Sequence, residues 1–310
     1  IHTSYVLKAD TSVTQPIDAG TYTVSYEVDD ERYEASGNCE LTINKATVTV
    51  KAKDIQKEYG DEPKYELEFV SGESVADTDE MLPYVEFESD GAELGAKVGT
   101  YDIKVTLSSQ GDGNRNFIIS DTLGKLTVTK APLTVTVKSV TREYGAENPS
   151  LEQPEFSKFK NNETKDVLSG KLVLGYDDIN AETKVGTYPG RAIASGLESE
   201  NYEIKYVFGD VTITKIKAEI TTATGKTSSI TVYFNKAVKG LTQDNFEVKN
   251  GNRILTLESA VPSNDNTSYV LNGKFDTDIT YTVNVAVDEN SVYDISGSGI
   301  KVKPAKSGGS

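Results

Sequence analysis

The chain repeats itself, and the step of that repetition constrains its fold more than any single motif does. Lys57-Glu58-Tyr59-Gly60 returns 85 residues later, from position 57 to position 142, as Arg142-Glu143-Tyr144-Gly145. Leu126-Thr127-Val128-Thr129-Lys130 returns at the same step as Val211-Thr212-Ile213-Thr214-Lys215, and Asn116-Phe117 returns as Asn201-Tyr202. Val98-Gly99-Thr100-Tyr101 and Val185-Gly186-Thr187-Tyr188 lie 87 residues apart, which marks an insertion of about two residues between the flanking anchors. Anchors in one order at one spacing define two homologous units, 46–130 and 131–215, and a fixed period is the signature of a tandem array.

A third copy is incomplete. Asp18-Ala19-Gly20-Thr21-Tyr22 matches the Gly-Thr-Tyr anchor, Arg32-Tyr33 stands loosely for the Asn-aromatic pair, and Leu41-Thr42-Ile43-Asn44-Lys45-Ala46 matches the closing strand. Residues 1–45 therefore read as the C-terminal part of another repeat. Either a chain boundary cuts that repeat, or strands from another chain complete it by adding to an open edge. Residues 216–303 carry none of the anchors and form a different unit. Asn250-Gly251 and Asn272-Gly273 each stand between alternating segments and predict two hairpins, because Asn-Gly supplies the positive φ of a type I′ turn. The tail 304–310 is small and polar, as a flexible linker or added segment would be.

Period-two alternation dominates the units. Leu133-Thr134-Val135-Thr136-Val137 places Leu and Val on one face and Thr on the other, and Thr47 to Val50, Leu126 to Val128 and Val211 to Ile213 do likewise. Threonine favours extended backbone while its hydroxyl tolerates water, so these are strands with one buried face. Helix signals are few: Thr164 to Gly170, and its counterpart Asp77 to Leu82, predict one or two turns each. Several short strands per repeat, separated by turns, predict an all-β chain of tandem β-sandwich, Ig-like domains. The joints Lys45-Ala46, Lys130-Ala131-Pro132 and Lys215-Ile216-Lys217 run from one unit into the next with no Gly/Ser spacer. Units of this size are roughly 30 Å across, so the series predicts an elongated rod on the order of 100 Å long.

Composition removes whole classes of function. The 310 residues carry 32 Lys plus Arg against 48 Asp plus Glu, a net charge of −16, which opposes binding to phosphate backbones and anionic headgroups. Nucleic-acid binding and membrane insertion are not expected, and no apolar stretch approaches the ~20 residues that span a bilayer. One Cys and one His, the latter at position 2, cannot assemble a disulfide, a cysteine-based zinc site or a Ser-His-Asp triad. Thirty-six per cent hydrophobic residues are enough for folded rather than disordered domains.

With these anchors in hand, a resemblance can be stated. The opening strand followed by Tyr59-Gly60-Asp61 or Tyr144-Gly145-Ala146, the Val-Gly-Thr-Tyr segment, the Asn-aromatic pair and the closing Leu/Val-Thr-Val/Ile-Thr-Lys make 46–130 and 131–215 resemble MBG domains of the YGX type, repeats of bacterial surface proteins. Residues 1–45 resemble the end of a related repeat. Residues 216–303 resemble bacterial Ig-like domains of S-layer and surface proteins, through Ile230-Thr231-Val232-Tyr233-Phe234-Asn235-Lys236 and Val292-Tyr293-Asp294-Ile295-Ser296-Gly297. The resemblance implies a secreted or wall-attached bacterial adhesin at the cell surface, with these modules as stalk or binding surface and no catalytic residues. The second copy departs at Pro189-Gly190, where an edge strand or a bulge is expected.

Individual residues carry mostly structural expectations. Tyr59-Gly60 and Tyr144-Gly145 are expected to close a strand, with Tyr packed on the neighbouring domain and Gly at positive φ, although exposed tyrosines would suit sugar or protein binding. The acidic clusters Asp29-Asp30-Glu31, Asp77-Thr78-Asp79-Glu80, Asp177-Asp178 and Asp276-Thr277-Asp278 lack EF-hand spacing and are read as solvated charge. Structural Ca²⁺ stiffening a rod is the alternative, and no other cofactor is expected. Lys45, Lys130 and Lys215 recur at the joints, where salt bridging or exposure is expected rather than isopeptide cross-links. Carboxylate pairs suited to a glycosidase arise by chance among 48 acids, so no enzyme activity is expected. Cys39 is expected to be a small buried or edge residue. The leading expectation is a monomeric, non-catalytic stalk of a surface adhesin. The alternatives are a module that itself binds a host or environmental glycan or glycoprotein, or neighbouring surface domains, and an assembly role for 1–45.

Overall fold

The computed structural model describes residues 2–7, 11–13, 15–16, 18–71, 82–108 and 117–306. Among them are 27 strands and three single-turn 3-10 helices, Leu82–Tyr84, Lys165–Val167 and Gln243–Asn245, so the chain is all-β. The second of these turns lies inside the segment expected to be helical, with Thr164 as its N-cap. Asp77 to Met81, including the Asp77-to-Glu80 cluster, lies outside the described residues, as does Asn116. The chain divides into two compact units, Ile1–Thr134 with Phe156–Lys171 and Gly196–Lys205, and Val135–Glu155 with Leu172–Ser195 and Tyr206–Ser310.

The first unit opens with one sheet of β1 (His2–Leu7), β2 (Thr11–Val13), β3 (Gly20–Asp30) and β4 (Tyr33–Ile43), in the order β2-β1-β3-β4. β3 and β4 form a hairpin paired from Gly20 with Ile43 to Asp30 with Tyr33. Next come β5 (Ala46–Ala52), β6 (Ile55–Glu58), β7 (Leu67–Ser71), β8 (Val85–Glu88), β9 (Gly99–Leu107), β10 (Phe117–Thr122) and β11 (Gly124–Thr129). They form two sheets, β10-β5-β7 and β6-β11-β9-β8, in which β5 runs parallel to β10 and β6 parallel to β11. Val48, Val50 and Ala52 on β5 face Ile103 and Val105 on β9 and Leu126 and Val128 on β11 in one core, the defining arrangement of a sandwich. The intervening Thr47 and Thr49 are not buried, so the Val/Thr alternation does decide which face turns inward. Each buried Val or Leu contributes ~1.5–3 kcal/mol of transfer free energy.

The next seven strands are β12 (Ala131–Thr136), β13 (Val140–Glu143), β14 (Glu155–Ser157), β15 (Ser169–Tyr176), β16 (Gly186–Glu198), β17 (Tyr202–Val207) and β18 (Gly209–Thr214). Their sheet orders, β14-β12-β17 and β13-β18-β16-β15, reproduce those of the first repeat strand for strand. The kinship extends to the closest backbone approach. A Cβ on Gly124 would lie 2.2 Å from the Ala52 carbonyl oxygen, and one on its counterpart Gly209 would lie 2.4 Å from that of Lys138. Pro189 sits in β16, an inner strand, where the pairing with β18 shifts between Tyr188 and Ala192. It therefore occupies a bulge rather than an edge. Gly190 takes φ +65° there and donates its N–H to Asp210.

The second unit ends in a sandwich of β19 (Ile216–Lys226), β20 (Ser229–Phe234), β21 (Phe246–Asn250), β22 (Arg253–Leu255), β23 (Ser259–Pro262), β24 (Ser268–Asn272), β25 (Tyr281–Val285), β26 (Tyr293–Ser296) and β27 (Ile300–Val302). The sheets are β23-β24-β20-β19-β26 and β22-β21-β25-β27. Ile230, Val232, Tyr269 and Leu271 pack in one core with Phe246, Val248, Tyr281 and Val283. The Asn250-Gly251 hairpin forms one residue late: Asn250 pairs with Arg253, and Gly251 takes φ +55° at the first turn position. The Asn272-Gly273 hairpin does not form. β24 pairs with β20 and β23, and beyond it Gly273 and Phe275 donate their N–H groups to Ser228 and Thr227, so no returning strand follows. Pro304 is buried and the Ala305 N–H donates to the Gly225 carbonyl, which holds the start of the predicted tail in the sandwich; 307–310 lie outside the described residues.

Candidate functional site

Each repeat carries a small lock built around its Tyr-Gly. The residue two before the tyrosine is a buried cation. Lys57 donates to the carbonyls of Ala92 and Glu93 at 3.0 and 2.7 Å, and Arg142 donates to the Asn148 side chain and to the carbonyls of Glu143 and Asn180. Burial lowers the pKa of Lys57 below the ordinary lysine value, while Asp61 and Glu93 oppose that shift. These cations hold the loop that leads into the Gly-Thr-Tyr strand. That tyrosine turns back on the same loop: Tyr22, Tyr101 and Tyr188 each donate to the carbonyl four residues earlier, of Asp18, Lys97 and Lys184, at 2.8, 2.8 and 2.9 Å. The contact recurs in all three copies, including the partial one.

In the first unit the Tyr-Gly itself is clamped by residues that follow the joint. Tyr59, 4% exposed, donates to one oxygen of Glu163 at 2.7 Å, and Tyr202, 2% exposed, donates to the other at 2.5 Å. The two rings meet edge to face at 5.5 Å, and Phe159 meets Tyr202 in the same way. Gly60 takes φ +83° and lies under Lys160, whose ammonium pairs with Asp61 at 2.6 Å and whose N–H donates to the Tyr202 hydroxyl. Burial, and then the hydrogen bond to Glu163, raise the pKa of both phenols. Lys97 pairs with Glu200 at 3.2 Å, and Lys130 donates to the Ser199 carbonyl at 2.7 Å. One carboxylate holding two buried phenols is a clamp.

The second unit repeats part of this joint. Lys215 donates to the Glu289 carbonyl at 2.7 Å, as Lys130 does to Ser199. The Ile216 N–H donates to Val292, as Ala131 does to Asn201. Tyr293 accepts the Lys239 N–H at 2.9 Å, as Tyr202 accepts that of Lys160 at 2.8 Å. Lys236 pairs with Glu143 at 2.9 Å and holds its carboxyl below the ordinary glutamate range. Among the described residues none clamps the tyrosine: Gly145, at φ +77°, has open space above it, and Tyr144 borders a cavity of about 500 Å³.

The other expected residues fall into local structure. Asp30 accepts the Arg32 N–H in the β3–β4 turn, Asp177 pairs with Arg191, and Asp276 accepts the Asp278 N–H. Among the described residues, no group of three or more His, Cys, Asp or Glu is placed to hold a metal ion. Lys130 is exposed, as expected, and Lys215 half-buried; both donate to backbone carbonyls of the loops they meet rather than to carboxylates. Cys39 is exposed on the outer strand β4, and the side chain of His2 is not among those described. Sequence reasoning missed Glu163, Lys239 and the tyrosine-to-carbonyl contacts; the constant spacing of Tyr22, Tyr101 and Tyr188 behind their loops was the available signal for the last.

Comparison with known proteins bears out part of the resemblance. Residues 133–212 match the family model of the MBG domain (YGX type), and residues 2–47 match that of an MBG domain. No curated protein matches the chain. Among solved structures, the surface layer protein SbsC, domains 1–6, aligns over 99% of this chain and 50% of its own at 15% identity and a TM-score of 0.18. The cadherin-like domains 1 to 4 of zebrafish RET align over 98% and 65% at 10% identity and a TM-score of 0.15. The chain thus spans half the length of the first. Among the described residues, no helix is long and apolar enough to cross a membrane. Residues 133–212 and 2–47 are therefore similar to MBG domains, the one within the second repeat and the other in the N-terminal segment.

Proposed function

We propose that the chain is a non-catalytic segment of a bacterial surface or secreted adhesin, whose modules 1–45, 46–130, 131–215 and the Ig-like 216–303 act in series as a stalk that spaces and presents other domains. The observation that carries this reading is the repeated joint. Lys130 and Lys215 each cross from a closing strand to a carbonyl of the following module, and each crossing is followed by a strand with no spacer. A joint made of packed side chains and directed hydrogen bonds resists bending in a way that a Gly/Ser linker does not. Small-angle scattering of the chain with calcium and with chelator tests the reading. A maximum dimension above about 100 Å is expected. A compact particle under both conditions refutes the stalk, and shortening on chelation assigns the stiffness to calcium instead of the joints.

A further inference from the structure

The two joints differ in one respect that points to a ligand. In the first unit, the Tyr59 hydroxyl and the Lys97 ammonium are each met by a carboxylate, from Glu163 and Glu200. Their counterparts in the second unit, Tyr144 and Lys184, are met by none: among the described residues the Tyr144 hydroxyl makes no hydrogen bond and the Lys184 ammonium no ion pair. Both line the cavity of about 500 Å³, together with Lys215, Glu289, Asn290 and Ser291. Lys215 is fixed by its bond to the Glu289 carbonyl, so its charge is held at the wall of the cavity. Glu289 is the acidic side chain in this lining, set against two lysines.

We propose that this cavity binds the carboxylate of an acidic sugar, a hexuronic acid, at the place where the first joint holds its own glutamates. A phenol and an ammonium on residues that border one space are the donors that a carboxylate accepts, and charge-assisted bonds of this kind are the strong ones. The volume lies within the range of small-molecule sites, and the Asn290 amide and Ser291 hydroxyl add polar groups of the kind that hydrogen-bond a sugar ring. The site is independent of the stalk reading, because it needs only the second unit.

The test uses the full chain and titrates glucuronate, glucose and N-acetylglutamate separately, followed by amide chemical shifts and calorimetry. Glucuronate is expected to bind and to shift the amides of 144, 184 and 289–292, with glucose at least about tenfold weaker for want of the charge. Lys184→Gln and Tyr144→Phe should each weaken glucuronate severalfold to tenfold, and the first-unit variant Lys97→Gln should not. The free sugar and a polyuronate carrying the same group are run in parallel, and tighter binding of the polymer identifies a chain rather than a single residue as the ligand. Glucuronate binding no tighter than glucose overturns the proposal. So does equal binding by N-acetylglutamate, which would make the site a receptor for acidic peptide, and so do Lys184→Gln and Tyr144→Phe variants that bind as the parent does.

Discussion

Removing the Glu163 carboxylate should open the first joint selectively. The side chain receives hydrogen bonds of 2.7 and 2.5 Å from two tyrosines that are 4% and 2% exposed, so Glu163→Ala leaves two buried phenols without their acceptor. Hydrogen bonds to a charged group contribute about 1.5–3 kcal/mol each, and the two are not additive because they share one acceptor. The Tyr202 hydroxyl retains the Lys160 N–H as a partner, which moderates the loss. A local destabilisation of about 3 kcal/mol follows, a hundredfold in the opening equilibrium at ~1.4 kcal/mol per factor of ten. Native-state hydrogen exchange reads it at the amides of Gly60, bonded to Leu94, and Lys160, bonded to Tyr202. The Tyr144 amide, bonded to Thr214 in the second unit, serves as the internal control and should not change. Glu163→Gln keeps one acceptor oxygen and should cost about 1 kcal/mol. In Tyr59→Phe the second change, Glu163→Ala, should cost less than it does alone, by a coupling above ~0.5 kcal/mol. Exchange at Gly60 and Lys160 within twofold of the parent in Glu163→Ala, or strict additivity in the pair, would refute the clamp.

Two further outcomes follow from the same geometry. Gly124→Ala and Gly209→Ala drive a Cβ to 2.2 and 2.4 Å from the carbonyls of Ala52 and Lys138, so each should destabilise its own module by ~1–3 kcal/mol or more, read by thermal unfolding; unchanged melting in both would contradict the close packing of the sheets there. Burial raises the phenol pKa of Tyr59, Tyr65, Tyr176, Tyr202 and Tyr269, so above about pH 10 the unfolded chain releases protons that the folded chain keeps, and stability falls as pH rises. Phenolate absorbance should show these groups ionising only with loss of the β circular dichroism, and all 17 tyrosines titrating smoothly with the spectrum intact would falsify the assignment.

The parts of the fold that depend on side-chain pattern were legible in the sequence. Val48, Val50, Leu133, Val135, Val211 and Ile213 are buried because apolar residues at every second position of a strand define one face. Gly60 and Gly145 show their role because positive φ selects glycine. The predicted hairpin at Asn272-Gly273 fails for the converse reason: the turn propensity of two residues is weak beside the pairing of β24 with both its neighbours, which fixes Asn272 in a strand and carries the chain onward. The contacts of Tyr22, Tyr101 and Tyr188 end on backbone carbonyls, and a carbonyl leaves no residue type behind it, so Asp18, Lys97 and Lys184 share a position without sharing chemistry.

That same logic accounts for the kinship of the last module, which shares none of the 85-residue anchors. β19 runs parallel to β26 with Ile216 opposite Tyr293, as β5 runs parallel to β10 with Ala46 opposite Phe117. A tyrosine hydroxyl receives a lysine N–H at Tyr293 as at Tyr202. What is retained across the joints is the backbone geometry and the lysine that ends each closing strand, because a joint needs a carbonyl in reach and a donor long enough to reach it. What is not retained is the carboxylate that fills the space above the tyrosine. Glu163 fills it in one joint, and among the described residues none fills it in the other, so the clamp is an addition to the joint and not a condition of it. A position that the fold does not require to be filled by the chain is one that a ligand can occupy at no cost to the fold, and Tyr144 and Lys184 border that position.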